Sequence, residues 1–378
     1  MEAEKFAQRL KEIGIDTITG IPDSTLQQFC DYVGSEGKNF FRYHVVPENE
    51  GAAVGLAIGA YLSTGSAACV YMQNSGLGNI VNPITSLAHR DVYGIPMLLL
   101  VGWRGEPDEK DEPQHRFMGR ITLGLLDLME IPYAIIDGNT RLGELDSILS
   151  RAQKCFQHKK QFAIVIKRGT FAKREMCVYR NANSLRRENA IRGIVKWLGN
   201  DDVIISTTGK ISRELYEVMD EIKGNHKRAF LTVGGMGHAK MIAYGIAMRN
   251  GNRRVICLDG DGAVLMHMGG LAVMGTNPLD NLVHICLDNE AHESVGGMST
   301  GAVGFDYGKF AGGCGYKNVY QAVSEQELTN VLNEVRDKKE LVFIHVKIAL
   351  GSRNALGRPK ESPEDNKATF MEMMRAGQ

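Results

Sequence analysis

Two carboxylates, Asp259 and Asp261, stand among glycines at the end of an apolar run in CLDGDGAVLMH (257–267). A strand that finishes on acids flanked by residues without side-chain bulk leaves carboxylate and backbone open to a ligand at its tip. Such a tip can hold a divalent cation beside a diphosphate. One hard ion needs more oxygens than one aspartate carries, and the next apolar run, LVHICLDNEAHESVGG, ends on Asp288-Asn289. Asn289 lies 28 positions beyond Asp261, the length of one strand-helix-strand unit. Parallel neighbours would bring both strand ends to the same ion. A plain Gly-Asp-Gly turn is the alternative reading.

A second acid sits in a different setting. In NEGAAVGLAIGAY (49–61), helical spacing puts Glu50 on one face with Ala53, Val54, Ala57 and Tyr61. A carboxyl on that stripe is desolvated and suited to donating a hydrogen bond. The competing explanation, an acid in a helix's first turn, fits Glu48 better than Glu50. Further polar groups stand at turns: Asp23 and Ser24 before TLQQF, where Asp23 could equally cap a helix, and His292 and Glu293 just past Asn289.

The elements that must position these groups follow one rhythm. Short β-rich runs (DTITG, FRYHVV, SAACVYM, MLLLVGW, YAIID, FAIVIK) alternate with helical segments, and the pattern returns as DVIISTTG, AFLTVGG, RVICLDGDG, LVHICLDN, KNVYQAV and LVFIHVKI. The alternation predicts an α/β chain of two doubly wound parallel-sheet domains. The expected layout is a first domain over 1–170, a charged linker over 171–190, a second domain over 191–350, and a loop or covering arm over 351–378. In such sheets ligands bind beyond the carboxyl ends of the strands.

Composition narrows the partners. Lys plus Arg and Asp plus Glu each total 44 in 378 residues, and no run of like charge suggests nucleic-acid or membrane-surface binding. Seven scattered cysteines without Cys-x-x-Cys pairs fit reduced thiols in the cytoplasm. The opening MEAEKFAQRLKEIGI reads as an amphipathic helix, not a signal peptide. No run approaches the ~20 apolar residues that span a bilayer.

Together these segments resemble thiamine diphosphate (TPP)-dependent decarboxylases. GDG followed by an Asn-containing pair resembles the family's metal motif, although its usual Asn-Asn reads Asp288-Asn289 here. NEGAAVGLAIGAY resembles its activating-glutamate helix. GGMGHA (234–239) resembles the turn whose large apolar residue props the bent cofactor. The resemblance implies two domains of the TPP-binding fold, one for the pyrimidine and one for the diphosphate. It implies Mg²⁺ held by Asp261, Asn289 and the Ala291 carbonyl, and Glu50 hydrogen-bonded to N1′ of the aminopyrimidine. Met236 would be the prop, and the Gly234 carbonyl would accept from the 4′-amino group. Gly260, Gly262, Ala263, Thr207 and Thr208 would line the diphosphate, although the STTGK segment could equally be a helix N-cap. Asn74, in the Gly-rich QNSGLGN turn, would also touch the cofactor.

With no room for a third, central domain, the chain resembles the compact decarboxylases of 3-substituted pyruvates along nearly its whole length. GIPDSTLQ, the WRGEPDEKDEPQH loop, TTGKISRELYE and LDNEAHESVGGMST carry this part of the likeness. The implied substrate is a small 2-oxo acid bearing a phosphonate or sulfonate. Asp23, Ser24, His292 and Glu293 would stand near the reacting carbon. Arg104, Lys110, His115, Arg353 and Arg358, in nonperiodic loops, are the candidate cations for the second anionic group. Active sites of the family form between subunits, so a homodimer or homotetramer is expected. A dinucleotide-dependent dehydrogenase would share the fold but needs a complete G-x-G-x-x-G fingerprint, absent here. A noncatalytic scaffold of the same fold is the other rival.

Overall fold

The computed structural model describes residues 1–37, 40–177 and 179–376. The chain divides into two compact units: Met1–Val178 with Val295–Gly301, and Tyr179–Ser294 with Ala302–Gln378. Each is built on a six-stranded sheet.

In the first unit the strands are β1 (Thr17–Gly20), β2 (Tyr43–Val45), β3 (Ala68–Gln73), β4 (Met97–Gly102), β5 (Tyr133–Ile136) and β6 (Phe162–Ile166). They lie in the order β2-β1-β3-β4-β6-β5, with all pairings parallel. Every residue of β4 and β6 is buried, because helices cover both faces and an alternating pattern would put polar groups into a core. One face packs Phe6, Phe29, Leu98 and Ile164, and the other packs Val70, Leu99, Val101 and Val165.

The second unit repeats the plan with β7 (Val203–Ser206), β8 (Ala229–Leu231), β9 (Val255–Gly260) and β10 (Leu282–Asp288). After the two-residue strands β11 (Ala291–His292) and β12 (Met298–Ser299), the chain adds β13 (Asn318–Ala322) and β14 (Val342–Lys347). The sheet order is β13-β14-β10-β9-β7-β8. In both sheets the chain first builds to one side and then crosses to the other. The reversal falls between β1 and β3 in the first unit and between β7 and β9 in the second. At such reversals the loops diverge and open a crevice at the carboxyl ends.

Three segments differ from the expectation. Residues 351–378 are not a loop throughout, because Pro363–Arg375 is a helix. Ser362 and Asp365 form a capping box at its start. Its Asn366 bridges Ala229 O and Leu231 N, so the tail satisfies backbone groups of the edge strand β8. Residues 171–190, of which Val178 lies outside the described residues, include the start of the Arg187–Trp197 helix. WRGEPDEKDEPQH ends in a helix, Pro113–Leu128, with Pro at its first turn and His115 inside it rather than in a loop.

Candidate active site

At the β1/β3 crevice of the first unit, Asp23 is fully buried. One oxygen accepts from Thr25 N at 2.7 Å and Leu26 N at 3.3 Å, and the other accepts from Gln73 Nε2 at 2.6 Å. It therefore shapes the turn before the Gln27–Gly34 helix, whose N-cap is Leu26 and not Asp23, while staying at the strand ends. Burial pushes its carboxyl above the ordinary aspartate value, against the opposing pull of Gln73 and Thr25.

Next to it, Ser24 Oγ accepts from Arg104 Nη1 at 2.8 Å. Arg104 also donates from Nε to Asp111 at 2.7 Å. Of the five candidate cations, Arg104 is the one bonded to this cluster. Lys110 and Arg358 are exposed, and Arg353 pairs with Glu188 and Glu217.

Glu50 opens the helix Glu50–Thr64, capped by Asn49, whose side chain accepts from Ala52 N at 3.0 Å. The first-turn acid is thus Glu50, and Glu48 precedes the cap. Ala53, Val54 and Ala57 are buried on its face, and Glu50 itself is only 5% exposed. Its Oε2 accepts from Asn79 Nδ2 at 2.7 Å. Gly76 makes this possible, since a Cβ there would lie 2.6 Å from Glu50 Oε1. Asn79 and Gly76 were not among the expected site residues, although both lie in the quoted Gly-rich segment.

Asn74, which was, has a different role. Fully buried, it donates to Arg104 O at 2.8 Å and Thr122 Oγ1 at 2.9 Å and accepts from Arg104 N. Both amide hydrogens are used within the protein, so it anchors the Arg104 loop instead of offering donors to a ligand.

In the second unit the registers Leu287↔Gly260 and Cys286↔Asp259 set the ends of β9 and β10 side by side. Asp261 opens the helix Asp261–Met266, is 4% exposed, and has no hydrogen-bond partner for Oδ2. Burial, and after it the charge of Asp288, push its carboxyl well above the ordinary range. A buried orphan oxygen beside a second carboxylate is what a divalent cation would resolve.

Asn289 is aimed by its neighbours. Nδ2 donates to Glu293 at 2.9 Å, and Oδ1, which accepts from Ala291 N, keeps a lone pair. Glu293 in turn is held by Arg187 at 2.5 Å and Lys210 at 2.7 Å, and Arg187 makes a second, bidentate pair with Glu214. Burial would raise the Glu293 carboxyl, but Arg187 and Lys210 draw it below its usual value. It therefore stays anionic and orients Asn289.

Glu290, just after Asn289, takes a left-handed φ of 60°, with Tyr179 donating to its carboxylate at 2.7 Å. Strain of this kind persists where surrounding contacts fix it.

Two more expected residues converge on the Gly-Asp-Gly turn. A Cβ on Gly262 would lie 3.5 Å from His292 Cε1 and 3.6 Å from Met236 Cε, so prop candidate and histidine both face it. Burial lowers His292 to about 4, leaving a neutral imidazole near neutral pH. Across the crevice, Thr207 is buried with its hydroxyl unpartnered. The STTGK segment is not a hydroxyl cap: the Lys210–Lys223 helix is capped by Gly209 without a side-chain bond. Thr208 and Gly234 are partly exposed nearby, and Gly260 and Ala263 are buried at the turn itself. These groups fit a metal-bound diphosphate: one orphan carboxylate, one oriented amide, one free hydroxyl.

Residues 2–127 match the family model described as thiamine pyrophosphate enzyme, N-terminal TPP binding domain, and residues 208–346 match its C-terminal TPP binding domain. A phosphonopyruvate decarboxylase of Streptomyces viridochromogenes is 36% identical, covering 94% of this chain and 90% of the relative. One of Streptomyces hygroscopicus is 34% identical over 98% and 94%. A sulfopyruvate decarboxylase of Methanosarcina acetivorans is 27% identical over 98% and 97%. With matches to both domain models, the chain belongs to the thiamine pyrophosphate enzyme family.

Proposed function

We propose that this protein is a Mg²⁺- and TPP-dependent carboxy-lyase that converts 3-phosphonopyruvate and a proton to phosphonoacetaldehyde and CO₂. One observation carries the decarboxylase reading: Glu50, an acid on an apolar helix face, is buried in a cradle that only glycine at position 76 leaves open. The phosphonate substrate is supported by the two Streptomyces relatives, which are more similar to this chain than the sulfopyruvate enzyme.

When bound, the cofactor supplies a nucleophilic carbon and an electron sink for the pair left as CO₂ departs. The chain's own residues bind and orient. Asp261, Asn289 and the Ala291 carbonyl would hold the metal, and Thr207 would hydrogen-bond the diphosphate. Met236 would support the ring, and Glu50 would hold a proton at the pyrimidine nitrogen. Asp23 and His292, each shifted by burial toward its neutral form, are the groups suited to moving protons near the substrate. Arg104, fixed beside Ser24, is our choice for the phosphonate's cation.

The active unit in this reading is a homodimer or larger, with Glu50 of one copy and Asp261 of another completing each site. Among the described residues no helix is long and apolar enough to cross a membrane, and all seven cysteines are free. A reducing cytoplasm suits them. The test is kcat/KM for phosphonopyruvate, sulfopyruvate and pyruvate measured side by side with TPP and Mg²⁺. Phosphonopyruvate should lead, and a lead of tenfold or more for sulfopyruvate, about 1.4 kcal/mol in transition-state binding, would replace the substrate assignment.

A further inference from the structure

Beneath the Gly-Asp-Gly turn lies a lysine with no access to solvent. Lys240, on the helix Ala239–Arg249, is 0% exposed. Its Nζ donates to Gly237 O at 2.8 Å and Ala263 O at 3.2 Å, and stands 4.0 Å from Asp259 Oδ2. An ammonium has three hydrogens and no acceptor; two of them go to the main-chain carbonyls, and the carboxylate supplies the counter-charge at ion-pair distance without a hydrogen bond. Its counter-charge is equally enclosed: Asp259 is fully buried, with His284 Nε2 at 3.4 Å from the same oxygen and Gly260 N donating to the other at 3.1 Å. Cys257, Asp259 and His284 place ligand-type atoms within 4.8 Å of one another, but the ammonium of Lys240 already provides the cation there.

The two carbonyls belong to the two loops that matter. Gly237 closes the turn that carries Met236, and Ala263 lies in the first turn after Asp261. The loops also press on each other. Gly237 has φ +87°, and a Cβ on it would meet His267 Cδ2 at 2.6 Å and Ala263 O at 3.1 Å. A buried charge is costly unless its surroundings compensate it, so an ammonium placed here fixes the separation of the two carbonyls more tightly than apolar packing would.

We infer that Lys240 is a positioning residue that fastens the Met236 turn to the Gly-Asp-Gly turn, holding the support for the cofactor's rings in register with the site for its metal-bound tail. The inference rests on the TPP reading of this unit and adds to it a residue that touches no part of the cofactor. Removing the staple should weaken ligands that need both loops and leave ligands that need one.

The full-length Lys240→Met and Lys240→Gln proteins are titrated by calorimetry with TPP plus Mg²⁺ and, separately, with inorganic pyrophosphate plus Mg²⁺. Lys240→Met should weaken TPP at least tenfold, about 1.4 kcal/mol, while pyrophosphate changes less than about threefold. Lys240→Gln, which keeps an N–H donor, should fall between wild type and Lys240→Met for TPP, and it carries the test alone if the methionine variant does not fold. Wild-type TPP affinity in the variants, or equal weakening of both ligands, would overturn the inference. Failure of the wild-type protein to bind TPP would instead remove the cofactor assignment.

Discussion

Asp288 accepts a hydrogen bond from His345 Nε2 at 2.8 Å, with the histidine side chain 1% and the aspartate 2% exposed. The pair explains why the chain reads Asp-Asn where related motifs read Asn-Asn. Its other oxygen accepts from Glu290 N at 3.0 Å, so the residue is bound on both sides. Asp288→Asn keeps the shape and an acceptor but loses the charge. It should shift Tm by no more than a few degrees, because about 1 kcal/mol of weakened hydrogen bonding is offset by relief of the Asp261 carboxyl, and leave TPP affinity within about threefold. Thermal melts and a cofactor titration decide it, and loss of cofactor binding would make Asp288 a ligand after all.

Asp261 should behave in the opposite way. Its Oδ2 is buried without a partner, and burial and the charge of Asp288 both disfavour its ionised form. Asp261→Asn removes that cost, so the protein without cofactor should melt a few degrees higher, a gain of about 1–3 kcal/mol. Mg²⁺-dependent TPP binding should fall by about two orders of magnitude or more. An unchanged or lower melting temperature together with retained binding would show that the carboxylate is neither strained nor a ligand.

Glu50→Gln is nearly isosteric and can still accept from Asn79. Folding and cofactor affinity should therefore persist, while kcat falls by about 10²–10⁴-fold, the range for loss of a positioned proton-handling group. Equal activity in the two proteins would separate Glu50 from the chemistry.

Arg104→Met tests the phosphonate assignment. The guanidinium is bonded to Ser24 and Asp111, and Asp111 is held well below the usual carboxylate range: burial alone would raise it, but Arg104 and main-chain N–H groups outweigh that. The substitution should raise KM for phosphonopyruvate by about 10-fold or more while changing pyruvate turnover little, because a charge-assisted hydrogen bond contributes about 1.5–3 kcal/mol. A uniform loss over both substrates would point to collapse of the loop that Arg104 and Asp111 close.

What could be read from the sequence, and what could not, follows from the range of the interactions. The parallel sheets were legible because strands buried on both faces are continuous apolar runs, as in Met97–Gly102. Glu50 was legible because its stripe is local to one helix. Asn74 and Asn79 sit five residues apart in one Gly-rich turn, and nothing local distinguishes the one that anchors a loop from the one that bonds Glu50. Lys240 gave no signal, since a lysine in a helix ordinarily reaches solvent and its burial depends on two carbonyls and Asp259 from elsewhere. The tail helix did carry one: Ser362-Pro363-Glu364-Asp365 is a capping box with proline at the first helical position.

That tail supplies the pH prediction. His226 donates or accepts on both ring nitrogens, with Asp220 at 2.6 Å from Nδ1 and Glu361, just before the terminal helix, at 2.8 Å from Nε2. Burial would lower its proton affinity, but the two carboxylates outweigh this and hold it above the ordinary imidazole value. A proton bound more tightly in the folded chain than in the unfolded one stabilises the fold. That contribution is complete below the unfolded value of about 6.5 and is lost as pH rises through the higher folded value. The neighbouring Tyr216 ring stands 4.6 Å away between centroids. Wild type should therefore melt above Glu361→Gln by about 1–3 °C near pH 6, with the gap closing as pH is raised past the folded value. Melting curves at half-unit pH steps measure the gap. A gap that widens with increasing pH would mean the imidazole is neutral in the fold and that Glu361 holds the tail by other contacts.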